Sequence, residues 1–193
     1  MNASPWFVAI GASGGDGLED IKNLLATLSS PIRAVILVVL HRSWDKPSNL
    51  KFVLERACSH PVMVAEEGDK FHQGTVYIGE PAQHLTLAAR SIGEMVQDPD
   101  RLHGNRTVDL LFRSVALYGN GRIIGIVLSG SLDDGSRGLA AIHEAGGLTM
   151  VLTPDPEPYR GMPRNAINYD GPIDVIGSPQ VIAAAIADAI ASG

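Results

Sequence analysis

The chain has 193 residues, 45% of them apolar and 19% charged, with a formal net charge of −6, which suits one soluble domain with a sizeable core and leaves too little chain for two. An acidic balance without a Lys/Arg cluster, and with aromatics at only 5%, argues against a nucleic-acid-binding surface. No apolar run approaches the roughly 20 residues that span a membrane, no secretory leader is visible, and the single cysteine, Cys58, rules out an intrachain disulfide, fits a reducing cytoplasm and reads as a small buried hydrophobe.

Trp6-Phe7-Val8-Ala9-Ile10 is an apolar run of strand length that stops at Gly11-Ala12-Ser13-Gly14-Gly15. Leu18, Ile21, Leu24, Leu25 and Leu28 follow at helical spacing. Strand, glycine turn, helix is how a doubly wound domain presents a reactive group at the carboxyl edge of its sheet. Gly11 and Gly14 are expected to supply backbone angles that a side chain forbids. The helix start behind Ser13 offers unpaired N–H groups and a partial positive charge. Ser13 is therefore the candidate nucleophile, in a Gly-x-Ser-x-Gly pattern that needs a strained strand-to-helix turn.

Ala34 to Leu40 are apolar without alternation, as in a strand buried on both faces, and the run ends at His41. Pro47 to Ala57 reads as a helix and Pro61 to Ala65 as a third strand. Thr75–Ile78, Leu85–Leu87 and Ile92–Val96 are spaced too tightly for crossover helices, so an antiparallel hairpin or meander is expected there. Thr107 is the expected N-cap of a helix through Val108, Leu111 and Val115, ending near Gly119. Ile123 to Leu128 form another buried strand, leading into Ser129-Gly130-Ser131-Leu132-Asp133-Asp134-Gly135 and a helix from Ser136 to Ala145. Leu148–Leu152 is a strand, and a loop with Pro154, Pro156 and Pro158 leads to Gly161-Met162-Pro163-Arg164, where Pro163 is placed to open a short helix. Ile173–Ile176 is the last strand, and Ser178-Pro179 starts the final alanine-rich helix. No repeat or linker interrupts residues 1–193, which read as one α/β domain: a doubly wound, mostly parallel sheet flanked by helices, with an antiparallel β-hairpin.

Ser13, His41 and Asp133 or Asp134 each follow the carboxyl end of a strand, the edge where open α/β sheets bind ligands. A hydroxyl attacks only when a base takes its proton, and an imidazole base needs a carboxylate to fix its tautomer. The chain order Ser…His…Asp differs from the Ser…Asp…His of α/β hydrolases. Spacing alone leaves Asp133 and Asp134 open. The remaining histidines show no ligand spacing, so no metal and no cofactor is expected. The rival reading is a nucleotide- or phosphate-binding module that uses Gly11 to Gly17 as a cradle. It calls for G-x-G-x-x-G and an acidic residue ending the second strand, where this chain has Ser13 and His41. A third reading is a non-catalytic domain that keeps the fold.

Gly11-Ala12-Ser13-Gly14-Gly15, His41 after its strand, Thr107 to Ala116, Leu128-Ser129-Gly130 with Asp134-Gly135, and Gly161-Met162-Pro163-Arg164-x-Ala166 together resemble the protein-glutamate methylesterase family of bacterial chemotaxis, the CheB catalytic domain. The resemblance covers nearly the whole chain. It implies hydrolysis of glutamate γ-methyl esters on the cytoplasmic helices of methylated chemoreceptors, with release of methanol, and deamidation of receptor glutamines. It also implies Ser13 as nucleophile, His41 as base and Asp134, the aspartate directly before glycine, as the residue that orients it. Backbone N–H groups of Gly14 and Ser131 are the expected oxyanion donors, with Met162 and Pro163 on the rim. The chain departs from the family in having Gly14 where threonine is usual, Asp16 for a glycine, and Gly130-Ser131-Leu132 for glycine-methionine-glycine. The family's receiver domain has no counterpart before Trp6, so competence without phosphorylation is expected, with a separate receiver or scaffold protein as regulator.

Overall fold

The computed structural model describes residues 4–43, 48–104, 106–156, 161–169 and 171–193. Strand β1 (Trp6–Ser13) is buried along almost its whole length and stops where Gly14 takes a φ of +72°, a backbone state that strains any residue with a Cβ. Helix α1 (Gly14–Thr27) starts at once, ahead of Leu18 where apolar spacing alone would begin it. Three glycines within its first turn are poor helix formers, and the buried strand before them, not local propensity, sets the start. After β2 (Ala34–His41) come α2 (Leu50–Glu55) and β3 (Val62–Val64). The helix is shorter at both ends than expected, and Pro47, its expected start, lies outside the described residues. Cys58 sits just past it, its thiol pKa raised by burial.

Strands β4 (Val76–Ile78), β5 (Gln83–Ala88) and β6 (Ile92–Gln97) follow. The expected hairpin is β5–β6, antiparallel with Thr86 opposite Glu94. Thr75–Ile78 does not belong to it. Strand β4 lies parallel to both β2 and β3 in the main sheet, because the stretch between β3 and β4 crosses over as a loop. Tight spacing excluded a crossover helix and not a crossover. The rest of the chain is α3 (Thr107–Tyr118), β7 (Ile123–Val127), α4 (Ser136–Glu144), β8 (Leu148–Leu152), α5 (Met162–Ile167), β9 (Val175–Gly177) and α6 (Pro179–Ser192). Pro163 is the second residue of α5, not its first, and Pro158 lies outside the described residues. Ser178 caps α6 as expected, its side chain accepting from Val181 N–H.

The main sheet has seven parallel strands in the order β3-β4-β2-β1-β7-β8-β9. It is a doubly wound α/β sheet with helices on both faces and the antiparallel hairpin beside it. Period two along β1 sends Val8, Ile10 and Ala12 into a core with Leu24, Leu25, Ile182 and Ile186 from α1 and α6. Phe7 and Ala9 go to the opposite core with Leu111, Phe112, Leu139 and the hairpin's Leu85. The chain moves outward from β1 through β2, then returns to β1's other side as β7. β1 is thus the switch point of the sheet, and its carboxyl end is the natural crevice.

Candidate active site

Register builds the site. Ser13, the last residue of β1, is paired with His41, the last residue of β2. Both sit in the odd-numbered rows, with Phe7 and Ala9 before one and Val35, Leu37 and Val39 before the other, so both side chains project to the α3 side. Gly11 occupies the same row. It has ordinary strand geometry, and its role is space: a Cβ there would collide with Val108 at the start of α3. The small residue lets the α3 N-terminus come down against the strand ends.

Asp134 completes the cluster. His41 Nε2 lies 2.6 Å from Asp134 Oδ2, and the aspartate side chain is only 2% exposed. Asp134 also accepts from Val108 N–H at 2.8 Å and from Asp109 N–H at 2.8 Å. Thr107 is therefore not the cap of α3. It lies inside the first turn, and two of the helix's first amides are satisfied by a carboxylate from the loop after β7, which also suits the positive end of the helix dipole. With Nε2–H donated to Asp134, a neutral imidazole carries its lone pair on Nδ1. Asp133 points elsewhere: it is exposed and pairs with Arg106 Nη1 at 3.2 Å.

Ser13 stands at the N-cap position of α1, where a serine hydroxyl ordinarily accepts from the helix start. Here it makes no cap hydrogen bond. Among the described residues no hydrogen bond joins it to His41 either, as is common before substrate arrives. Its own N–H is held by Ser129 O at 2.9 Å. Gly130 packs directly against it, and a Cβ there would meet Ser13 Cβ and Met162 Sδ.

The loop carrying Asp134 is braced from four sides. Asp20 of α1 accepts from Ser129 N–H, Met162 N–H donates to Gly130 O at 2.8 Å, Asn165 Nδ2 donates to Leu132 O, and Arg106 holds Asp133. Arg42, directly after His41, donates to the carbonyls of Leu40 and Gly79 and ties the end of β2 to the end of β4. Burial lowers its pKa, and the charge of Glu80 opposes that shift.

Of the remaining expected residues, Gly14 begins α1 with open space over its α-carbon, and its N–H is one of the orphan donors of the first turn. Ser131 is exposed in the Asp134 loop. Met162 and Pro163 are not on the rim. Both are buried, Met162 completely, because Met162 fills the space under Gly130. The sequence reading missed Asp109. It is 5% exposed, and its Oδ1 accepts from Gly135 N–H at 3.1 Å and Gly138 N–H at 2.7 Å. Burial holds its carboxyl above the ordinary value, with the Asp134 charge adding to the shift and the amides of Gly138 and Gly135 and the Arg106 charge opposing it. The available signal was an acidic residue inside the buried face of a helix, beside Val108, Leu111, Phe112 and Val115.

A cleft of about 380 Å³ opens on the hairpin side of His41. Among the described residues, no cluster of side chains is arranged to hold a metal ion, and no helix is long and apolar enough to cross a membrane.

A family model described as CheB methylesterase matches residues 8–186. The protein-glutamate methylesterase/protein-glutamine glutaminase of Pectobacterium atrosepticum is 34% identical over 182 residues, covering 93% of this chain and 51% of that protein. The protein of the same name from Salmonella typhimurium is 32% identical over 184 residues, covering 93% and 52%. This chain thus spans about half the length of the curated relatives it matches. The crystal structure of the Thermotoga maritima CheB methylesterase catalytic domain superposes with a TM-score of 0.83 at 25% identity, covering 99% of this chain and 100% of that one.

Proposed function

This chain belongs to the CheB methylesterase family, and from that premise we propose that it is a serine carboxylesterase acting on glutamate γ-methyl esters of chemoreceptor helices. The observation that carries this reading is the in-register pair Ser13 and His41 with Asp134 Oδ2 2.6 Å from the imidazole.

Ser13 Oγ attacks the ester carbonyl while His41 Nδ1 takes its proton, and the imidazolium formed is stabilised by the Asp134 carboxylate through Nε2–H. Negative charge develops on the carbonyl oxygen over the start of α1. The Gly14 N–H, with the Ser131 N–H from the facing loop, is the donor set for that oxyanion, the kind of interaction that usually contributes most to such a reaction. Collapse expels methoxide, which leaves as methanol with the proton from His41. Water then repeats the cycle on the acyl-serine and restores Ser13. The relatives' name includes protein-glutamine glutaminase, and the same steps on a side-chain amide would release ammonia. Partners follow from the substrate: methylated receptor helices, and a receiver or scaffold protein that governs access to the site.

A fluorophosphonate probe tests the nucleophile. It should label the wild-type chain at Ser13 and leave the Ser13→Ala variant unlabelled, and methanol release should fall by roughly 10⁴-fold or more in that variant. A Ser13→Ala protein that hydrolyses methyl esters at the parent rate removes the assignment.

A further inference from the structure

We propose that Asp109 is a positioning residue for this reaction: by clamping the first turn of α4 it holds the Asp134 carboxylate against His41. The proposal rests on the reading of His41 and Asp134 as a working pair. Two helices start beside each other here, and each is capped by an aspartate of the other segment. Asp134, just before α4, accepts from the Val108 and Asp109 amides of α3. Asp109, in the first turn of α3, accepts from the Gly135 and Gly138 amides at the start of α4. The loop is closed on itself: Asp109 donates its N–H to Asp134 and grips with its side chain the residue directly after it.

This geometry removes a specific freedom. Asp134 Oδ2 can leave His41 by a side-chain rotation, which the Val108 and Asp109 amides oppose, or by a turn of the backbone at Asp134–Gly135. Gly135 is a glycine at a φ of +97°, the residue type least resistant to such a turn. The Asp109 bond to Gly135 N–H pins that joint, and its bond to Gly138 N–H pins the first turn of the helix that follows. Misplacement of a catalytic group by about 1 Å can cost 10²-fold in rate, so a clamp one residue away is enough to matter.

Asp109 is buried beside a second buried carboxylate, Asp134. Asp109 Oδ2 has no hydrogen-bond partner among the described residues, and the guanidinium of Arg106 is no nearer than 3.6 Å. Burial of a carboxylate is costly unless its hydrogen bonds are kept, and the bonds kept here are those to the joint beside Asp134.

The experiment compares Asp109→Ala, which removes the acceptor, with Asp109→Asn, which keeps an acceptor oxygen and removes the charge. On a small methyl ester, Asp109→Ala should lower kcat by about 10- to 100-fold with KM changed by less than about twofold, and Asp109→Asn should recover most of that loss. The second readout needs no substrate: the far-downfield proton resonance of the His41 Nε2–H bonded to Asp134 should persist in the wild type and in Asp109→Asn and vanish or move upfield in Asp109→Ala. Where Asp109→Ala does not fold, Asp109→Ser takes its place, since a hydroxyl ends one bond short of the two amides. A folded Asp109→Ala or Asp109→Ser protein with parent kcat and an unmoved resonance overturns the proposal. So does an Asp109→Asn protein that loses as much as Asp109→Ala. If the wild type turns over no ester, the esterase reading fails while the resonance comparison still decides the clamp.

Discussion

Two histidine–aspartate pairs lie near this sheet edge, and they are chemically close to identical. In one, His41 Nε2 is 2.6 Å from Asp134, whose oxygens also accept two backbone amides from Val108 and Asp109. In the other, His84 Nε2 is 3.1 Å from Asp98, whose oxygens also accept two backbone amides, from Leu102 and His103. Each aspartate sits in a loop that contains a non-glycine residue in left-handed geometry, Leu132 in one and Arg101 in the other. What separates them is the neighbour on the other side of the ring. His41 ends a strand in register with Ser13 at the head of a helix. His84 lies in the two-stranded hairpin opposite Val96, and its Nδ1 is buried with no hydrogen-bond partner among the described residues. An oriented imidazole is therefore a structural commonplace, and placement beside a hydroxyl is what sets His41 apart for the proposed role of base.

The largest expected effect tests that contrast directly. His41→Gln and Asp134→Asn should each lower kcat by roughly 10⁴-fold, while His84→Gln and Asp98→Asn should leave esterase activity within about threefold. Asp134→Asn acts by placing an amide where the imidazole N–H needs an acceptor, so its fold should survive. Equal losses from the two pairs would mean that the register with Ser13 is not what matters. Asp133→Asn, one residue from the site but paired outward with Arg106, belongs with the small effects. A loss there larger than at Asp134 would move the acid.

Acid sharpens the comparison at intermediate scale. Partial burial works against the ionised form of Asp98, but the hydrogen bonds from His84, His103 and Leu102 outweigh it, so its pKa lies below the ordinary 3.8. A depressed carboxylate pKa contributes stability at pH above the unfolded value, and that contribution is lost as pH falls through the folded value. Amide-exchange protection at Leu102 and His103 should therefore be flat above about pH 5 and fall below about pH 4, and Asp98→Asn should abolish the dependence. Protection that stays constant to pH 2 in the wild type would show that Asp98 does not anchor its loop.

The smallest effect concerns the left-handed leucine. Leu132 has a φ of +72° and is 59% exposed, so Leu132→Gly relieves backbone strain at little cost in burial. Left-handed geometry costs about 1–2 kcal/mol and glycine's extra unfolded entropy takes back about 0.4–1, so a net stabilisation of about 0.5 kcal/mol is expected in denaturant titration. A destabilised variant would mean that the leucine side chain makes contacts worth more than its strain.

Much of the fold was legible in the sequence because burial on both faces leaves a local mark. β1, β2 and β7 are built on continuous apolar runs, β8 is broken by Thr149 alone, and Ser178-Pro179 announces α6 by its own chemistry. The candidates Ser13, His41 and the Asp133/Asp134 couple were visible for a related reason: Ser13 and His41 are each the first polar residue after such a run, and the two aspartates lie in the short polar loop after another. Other features left no local mark. Val76–Ile78 reads the same in a hairpin as in a parallel sheet, and only its pairing with β2 and β3 distinguishes them. Thr107 has the right side chain for a cap, but the amides it would have served were taken by Asp134 from a distant part of the chain. Asp133 and Asp134 are alike as letters, and the α4 start turns one outward to Arg106 and the other inward to His41. Met162 looks like a rim residue until Gly130 leaves a space that its sulfur fills. Sequence determined which segments must be buried and where polar chemistry begins, because hydrophobic burial is read residue by residue. Tertiary structure decided which of those polar groups meet, because register and helix-end placement bring together atoms from segments that carry no record of one another.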